Sequence, residues 1–299
     1  MQLQAIRTRG ATALTKGRKV VGRLVSPETR QLQDKLAQSD AEVRRLRSVI
    51  KKERKASKRY QDELKATRAS LIDPLAGLEL PAEVSDVISA ARAEHLTFLS
   101  VPELTVLARQ VLDADRAGRQ GLIIEAGTAR GGSAIVMAAA KDPSRRMKVY
   151  DVFGQIPPPS DGDGADVHAR YQKIADGSAR GAGGETYYGY RDDLYTEVTE
   201  SFARLGVPVA ENNVDLVKGL FEDTIEIDEP VAFAHLDGDW YESTRTCLER
   251  IAPRLVTGGR IVLDDYFHWS GCRKAVDEYF KGRTGFQVER RNKVHVVKL

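Results

Sequence analysis

From Gly121 to its end the chain alternates short apolar runs with amphipathic stretches, and no other feature restricts the fold so tightly. The apolar runs are 121–126 (GLIIEA), 147–152 (MKVYDV), 214–217 (VDLV), 231–236 (VAFAHL) and 259–264 (GRIVLD). Helical segments lie between them at 132–141, 243–255 and 271–281, and two more, 83–93 and 102–117, come before the first run. Such alternation gives a mostly parallel sheet covered by helices on both faces. Two last runs, 286–290 and 294–298, flank Asn292 and Lys293 and read as a closing hairpin. The expected sum is seven strands with an antiparallel ending.

The first 70 residues are of another kind. They hold 19 Lys/Arg against 7 Asp/Glu, a balance of +12, while the other 229 residues have a balance of −9. Arg7, Arg9, Lys16, Arg18, Lys19 and Arg23 meet no acid before Glu28, and Gly10, Gly17 and Gly22 weaken any helix there. Residues 1–26 therefore read as a basic, flexible arm suited to an anionic partner, such as a membrane surface.

From Pro27 to Ser70 there is no further Gly or Pro. One seven-residue line runs Leu36, Val43, Ile50, Ser57 and Leu64, and a second runs Leu32, Ser39, Leu46, Glu53 and Tyr60. This imperfect seam predicts a coiled-coil stalk over 27–72 that joins copies of the chain in a homo-oligomer. Pro27 is placed to start the helix and Pro74 to end it. The alternative is one long helix folded onto the rest, and residues 73–299 form the remaining domain.

With 41% hydrophobic and 30% charged residues the composition is that of a soluble protein. Two cysteines, Cys247 and Cys272, build no disulfide framework, and no apolar run reaches the roughly 20 residues of a membrane span. The expected location is the cytoplasm, with at most peripheral contact at the inner face of the membrane.

Residues 154–191 interrupt the alternation with Pro157, Pro158 and Pro159 and a high glycine content. An insertion this long in a compact domain is a lid or a disordered segment. Tyr187, Tyr188 and Tyr190 at its end favour a lid.

Two constellations carry chemistry. The first is Glu125-Ala126-Gly127-Thr128-Ala129-Arg130-Gly131-Gly132-Ser133, on the turn from the first strand into a helix. Glycines there bring backbone close to a ligand, and the new helix offers unpaired N–H groups. The spacing is not G-x-G-x-x-G, which counts against a dinucleotide dehydrogenase. Asp151 ends the next strand, where an acid commonly takes ribose hydroxyls.

The second constellation is His235-Leu236-Asp237-Gly238-Asp239 at the end of the fourth strand, with Leu263-Asp264-Asp265-Tyr266 at the end of the fifth. Ligands sit at the carboxyl ends of such strands, so Asp237, Asp264 and Asp265 are expected to converge. Their mutual repulsion calls for a positive charge, and hard oxygen donors suit Mg²⁺ or a similar divalent ion. Asp239 is expected to cap the following helix. His235 is expected to pack or hydrogen-bond near the sheet.

The series EAGTARGGS, KVYDVFG, KGLFEDT, HLDGDWYEST and VLDDYFHWSGCRKAVDEY resembles the macrocin O-methyltransferase family over about residues 95–299. The resemblance implies a Rossmann-like, seven-stranded class I methyltransferase sheet. It also implies S-adenosylmethionine as methyl donor, a Mg²⁺ requirement and a sugar hydroxyl as acceptor. It carries the cofactor loop onto Glu125, Gly127, Thr128, Arg130, Gly131 and Ser133, the ribose acid onto Asp151, and the adenine side onto Gly219, Phe221 and Glu222. The metal carboxylates fall on Asp237, Asp264 and Asp265. The chain departs from the family at Thr128-Ala129, where Val-Trp is common, and in the length of 154–191; both bear on the acceptor.

A sugar hydroxyl is too weakly acidic to ionise near neutrality, so an activating cation and a proton acceptor are both needed. Asp237 and His268 are the candidates for the acceptor of the proton. Trp269 and Tyr187, Tyr188 and Tyr190 are candidates to stack on a sugar. Two alternatives stay open: a catechol or phenolic O-methyltransferase of the same fold, and a non-catalytic scaffold binding membrane or nucleic acid. Retention of all three carboxylates disfavours the scaffold.

Overall fold

The structure, a computed structural model, describes residues 27–72, 75 and 77–299. The basic arm 1–26 and Pro74 lie outside the described residues. The chain divides into two compact units, Met1–Leu64 and Lys65–Leu299. Helix α1 spans Pro27–Ile72. Its apolar side chains from Leu32 to Ile50 are exposed. No helix among the described residues is long and apolar enough to cross a membrane.

The second unit opens with α2 (Ala82–Ala93) and α3 (Val101–Arg116), then β1 (Leu122–Ala126), α4 (Gly132–Ala140) and β2 (Met147–Asp151). The insertion carries α5 (Ala165–Ala175) and single 3₁₀ turns at Ala182–Gly184 and Tyr188–Tyr190. It leads to α6 (Leu194–Arg204), β3 (Val214–Lys218), the one-turn α7 (Phe221–Thr224) and β4 (Val231–Leu236). Then come α8 (Tyr241–Ile251), β5 (Leu255–Leu263), α9 (Ser270–Phe280) and the hairpin β6 (Phe286–Arg290) with β7 (Val294–Lys298). All seven expected strands form. Sequence periodicity did not identify α5, α6 or α7.

The sheet order is β3-β2-β1-β4-β5-β7-β6, parallel except for β7, which runs antiparallel to both neighbours. The order reverses direction between β1 and β4, so ligands are drawn to the ends of those two strands. Period-two alternation sorts the side chains: Leu122, Ile124, Ala234 and Ile261 pack toward α8, while Ile123, Phe233 and Val262 pack toward α3 and α4. Each of these side chains other than Ala234 contributes roughly 1.5–3 kcal/mol when fully buried. A third, smaller core inside the insertion gathers Ile156, Val167, Ile174 and Tyr187 around Trp240. The insertion is thus an ordered roof.

Candidate active site

The parallel register of β1 and β4 sets Glu125 opposite His235 on one face of the sheet, both with no exposure. His235 Nδ1 donates to Glu125 Oε1 at 2.8 Å, and Thr128 Oγ1 donates to Glu125 Oε2 at 2.6 Å. Glu125 therefore braces the glycine turn from beneath. Gly127 has φ 88°, and a Cβ there would lie 2.0 Å from the Asp237 carbonyl oxygen. Only glycine lets the exit of β1 pass the exit of β4. Ala129 adopts φ 48°, a strained conformation for a residue with a side chain.

Asp151, at the end of β2, fastens this turn from the other side. Its Oδ2 accepts from Thr128 N at 2.7 Å and Ala129 N at 3.2 Å, and its Oδ1 accepts from Phe153 N at 2.6 Å. Burial pushes its carboxyl up to about 6, against the pull of those three N–H donors. Gly131 precedes α4, and Ser133 is buried within its first turn. Arg130 turns away to the carbonyls of Glu94 and His95 and to Glu185 Oε2 at 2.9 Å, tying the loop to the roof.

The aspartates beyond β4 and β5 fall into two overlapping sets whose ligand atoms lie within 4.8 Å of one another: Asp237 with Asp239 and Asp265, and Asp264 with Asp265 and His268. Asp265 belongs to both. Burial, then the charges of Asp264 and Asp265, raise the Asp237 carboxyl well above the ordinary range. Burial and Asp265 do the same to Asp239. Asp264 goes the other way: despite burial, Lys293 and His235 hold it well below.

Lys293, in the turn of the closing hairpin, is 6% exposed and places Nζ 2.7 Å from Asp264 Oδ1 and 3.5 Å from Glu103 Oε1. His235 Nε2 lies 3.6 Å from the same Asp264 oxygen and has no hydrogen-bond partner. A buried ionic chain thus runs from Lys293 through Asp264, His235 and Glu125 to Thr128. Against burial, the Asp264 and Glu125 carboxylates raise the His235 imidazole to about 9, so Lys293 and His235 offset part of the aspartate charge; Asp237, Asp239 and Asp265 remain. That surplus, on oxygen donors alone, fits a divalent ion of the Mg²⁺ kind.

A cavity of about 360 Å³ opens between the two constellations. Of the sequence-derived residues, Gly127, Asp151, Phe221, Glu222, Asp237 and Tyr188 line it. Tyr187 is buried in the small core of the insertion, and Tyr190 donates from its hydroxyl to Ile174 O at 2.6 Å. Both support the wall. Trp269 stacks edge-on against Trp240 at 5.7 Å and donates from Nε1 to Asp239 Oδ1 at 2.9 Å. His268 is exposed, its backbone N–H bound to Asp265 O at 2.8 Å.

Asp239 is not the expected helix cap. Trp240 occupies the cap position without a side-chain bond, while Asp239 lines the cavity at φ 58°. The caps come from the roof instead. Asp163 Oδ1 accepts from Tyr241 N at 2.8 Å at the start of α8, and Asp166 Oδ2 accepts from Ser270 N at 2.9 Å at the start of α9. Lys293, Asp163 and Asp166 had no local signal. Asp239 had one, its place two residues beyond Asp237.

Known proteins bear on this site. The profile of the macrocin-O-methyltransferase family matches residues 100–288. The 8-demethyl-8-(2,3-dimethoxy-alpha-L-rhamnosyl)-tetracenomycin-C 4'-O-methyltransferase of Streptomyces olivaceus is 32% identical over 222 residues, 71% of this chain and 74% of that protein. The mycinamicin III 3''-O-methyltransferase of Micromonospora griseorubida is 30% identical over 190 residues, covering 61% of this chain and 69% of its own length. In fold, the solved O-methyltransferase NovP matches with a TM-score of 0.56 at 23% identity, over 81% of this chain and 99% of that one. The profile spans the glycine turn, both aspartate pairs and most of the sheet, and on that match the chain belongs to the macrocin O-methyltransferase family and is an O-methyltransferase.

Proposed function

We propose that the chain moves the methyl group of S-adenosylmethionine to a sugar hydroxyl of a glycan, glycolipid or glycosylated natural product, with Mg²⁺ or a similar divalent ion held at the aspartate cluster. One observation carries this reading: Gly127 and Asp151 share a single cavity with Asp237 and Asp239. The relatives named above act, by their names, on a rhamnosyl tetracenomycin and on mycinamicin III, which supports a glycosylated acceptor.

Methyl transfer forms one C–O bond as one C–S bond breaks, and the acceptor must lose its proton. The chemistry a divalent ion supplies at such a site is acidification of a hydroxyl and orientation of paired oxygens. Asp237 and Asp265, with Asp264 or Asp239, would hold it. Asp237 or His268 takes the proton in this reading, and Asp239, which shares the cavity with Asp237, is a third candidate. Asp151 and the turn it fastens orient the cofactor, with Phe221 and Glu222 on the adenine side. Tyr188 and Trp240 give the acceptor an apolar wall and exclude water.

The N-terminal part has its own role in this reading. Helix α1 joins copies of the chain, and the basic arm meets an anionic membrane surface at the cytoplasmic face.

The test is methyl transfer by the full chain to a rhamnoside, a rhamnosylated polyketide and a catechol, followed by mass spectrometry. A methylated sugar, lost on chelation and restored by Mg²⁺, is the expected result. Methylation of the catechol alone reassigns the acceptor class, and failure to bind S-adenosylmethionine overturns the cofactor reading.

A further inference from the structure

Helix α1 presents a surface that the methyl-transfer site does not use. Leu32, Leu36, Val43, Leu46 and Ile50 are between 43% and 66% exposed, although these are the side chains that water most disfavours. They form a pattern. Steps of four and three link Leu32, Leu36, Ser39, Val43, Leu46 and Ile50 into one stripe along the helix. In heptad terms Leu36, Val43 and Ile50 are a positions, and Leu32, Ser39 and Leu46 are d positions.

The stripe and its flanks choose the partner. β-Branched Val43 and Ile50 at a, with Leu32 and Leu46 at d, favour two strands over three. In the same frame Lys35 and Glu42 occupy g positions, and Asp40 and Arg47 occupy e positions. In a parallel, in-register pair each g residue faces the e residue five places further along the other chain. Lys35 then meets the partner's Asp40, and Glu42 meets the partner's Arg47. Both pairs are opposite in sign, and each occurs twice by symmetry. The antiparallel alignment that buries the same stripe sets Asp40 beside the partner's Asp40 and Glu42 beside the partner's Glu42, two like-charge meetings. Within the helix Glu42 lies 3.5 Å from Arg45, but both side chains are more than half exposed, so this contact does not compete strongly.

We infer that residues 32–50 of α1 form a parallel, in-register, two-stranded coiled coil with a second copy of this chain. The inference rests on the reading of α1 as the element that joins copies, and adds to it number, direction and register. Parallel pairing brings Val43 opposite its own counterpart, and this gives a direct test.

In the full chain, Val43→Cys and Ala41→Cys are oxidised mildly at micromolar concentration; the native Cys247 and Cys272 are buried. Val43→Cys is expected to give a covalent dimer, and Ala41→Cys, on the outer face, is not. Light scattering of the unmodified chain is expected to give twice the chain mass. A mass of one chain overturns the joining role of α1, and three chains overturn the two-stranded core. Two chains without a Val43→Cys cross-link overturn the parallel register while leaving the joining role intact. Lys35→Glu is expected to weaken the dimer several-fold, and Lys35→Glu with Asp40→Lys to restore it; no change in either overturns the charge pairing.

Discussion

The two units of the chain treat apolar side chains in opposite ways. In Lys65–Leu299 the pattern closes on itself: Ile124, Phe233 and Ile261 have essentially no contact with solvent. In Met1–Leu64 the pattern is as regular, yet Leu36 and Leu46 remain at least half exposed. The difference is one of period. Alternation by two and recurrence at 3.6 bury a face within one domain, whereas recurrence by seven needs a second helix. The second unit specifies its own interior, and in the proposed reading the helix specifies a partner.

If so, substitutions in the two units must fail differently. Asp265→Asn, in the carboxylate common to both aspartate sets, should lower turnover about a thousandfold, roughly 4 kcal/mol of transition-state stabilisation, while melting changes little. Retained turnover in a steady-state assay would remove the cluster from the chemistry. Lys293→Met should come next, because it strands Asp264 in the interior. Loss of about 3–5 kcal/mol is expected, seen as a melting point lower by roughly 10 °C, with Lys293→Arg less affected. Melting within a degree of the parent would show that the ionic chain contributes nothing.

A smaller effect belongs to Asp151. Its folded pKa of about 6 lies above that of an exposed aspartate, so the folded chain keeps a proton the unfolded chain releases. The stability it contributes is complete below about pH 4 and is lost as pH rises through 6. Affinity for S-adenosylmethionine should move the opposite way, rising about tenfold between pH 5 and 7 as the carboxylate forms. Calorimetric titration at both values checks this, and Asp151→Asn should abolish the step. Smallest in energy is Leu46→Glu in α1. It should change the melting point by less than about 1 °C and leave turnover per chain unaltered, yet halve the particle mass in light scattering.

The sequence made the sheet legible because a strand buried on both faces leaves a nearly continuous apolar run, as at 231–236, where only His235 is polar. It also pointed to the ligand end of the sheet, since Asp151 ends its strand and Asp237 and Asp264 follow theirs directly. What local pattern does not record is contact between distant segments. Lys293 reaches Asp264 only because β7 inserts between β5 and β6. Asp163 and Asp166 reach helices that start 78 and 104 residues later. Helix α5 was hidden by the glycines around it. Asp239 was misplaced for a different reason: an acid just before a helix is so often a cap that its alternative, an acid facing a cavity, has the same local appearance.

The two roof aspartates constrain how acceptor scope can be altered. Asp163 and Asp166 secure the first turns of α8 and α9, and the loops leading into those helices carry the cluster aspartates. An acceptor pocket transplanted from a relative by exchanging residues 154–191 would arrive without these anchors unless acids stood at the same two places. In the proposed reading, selectivity and reaction geometry are therefore inherited together, as one module. Laboratory diversification is best confined to Pro158 and Tyr188, which face the cavity; Ser160 and Pro157 face it too, but Ser160 donates to Asp163 and the Pro157 carbonyl accepts from Trp240 Nε1.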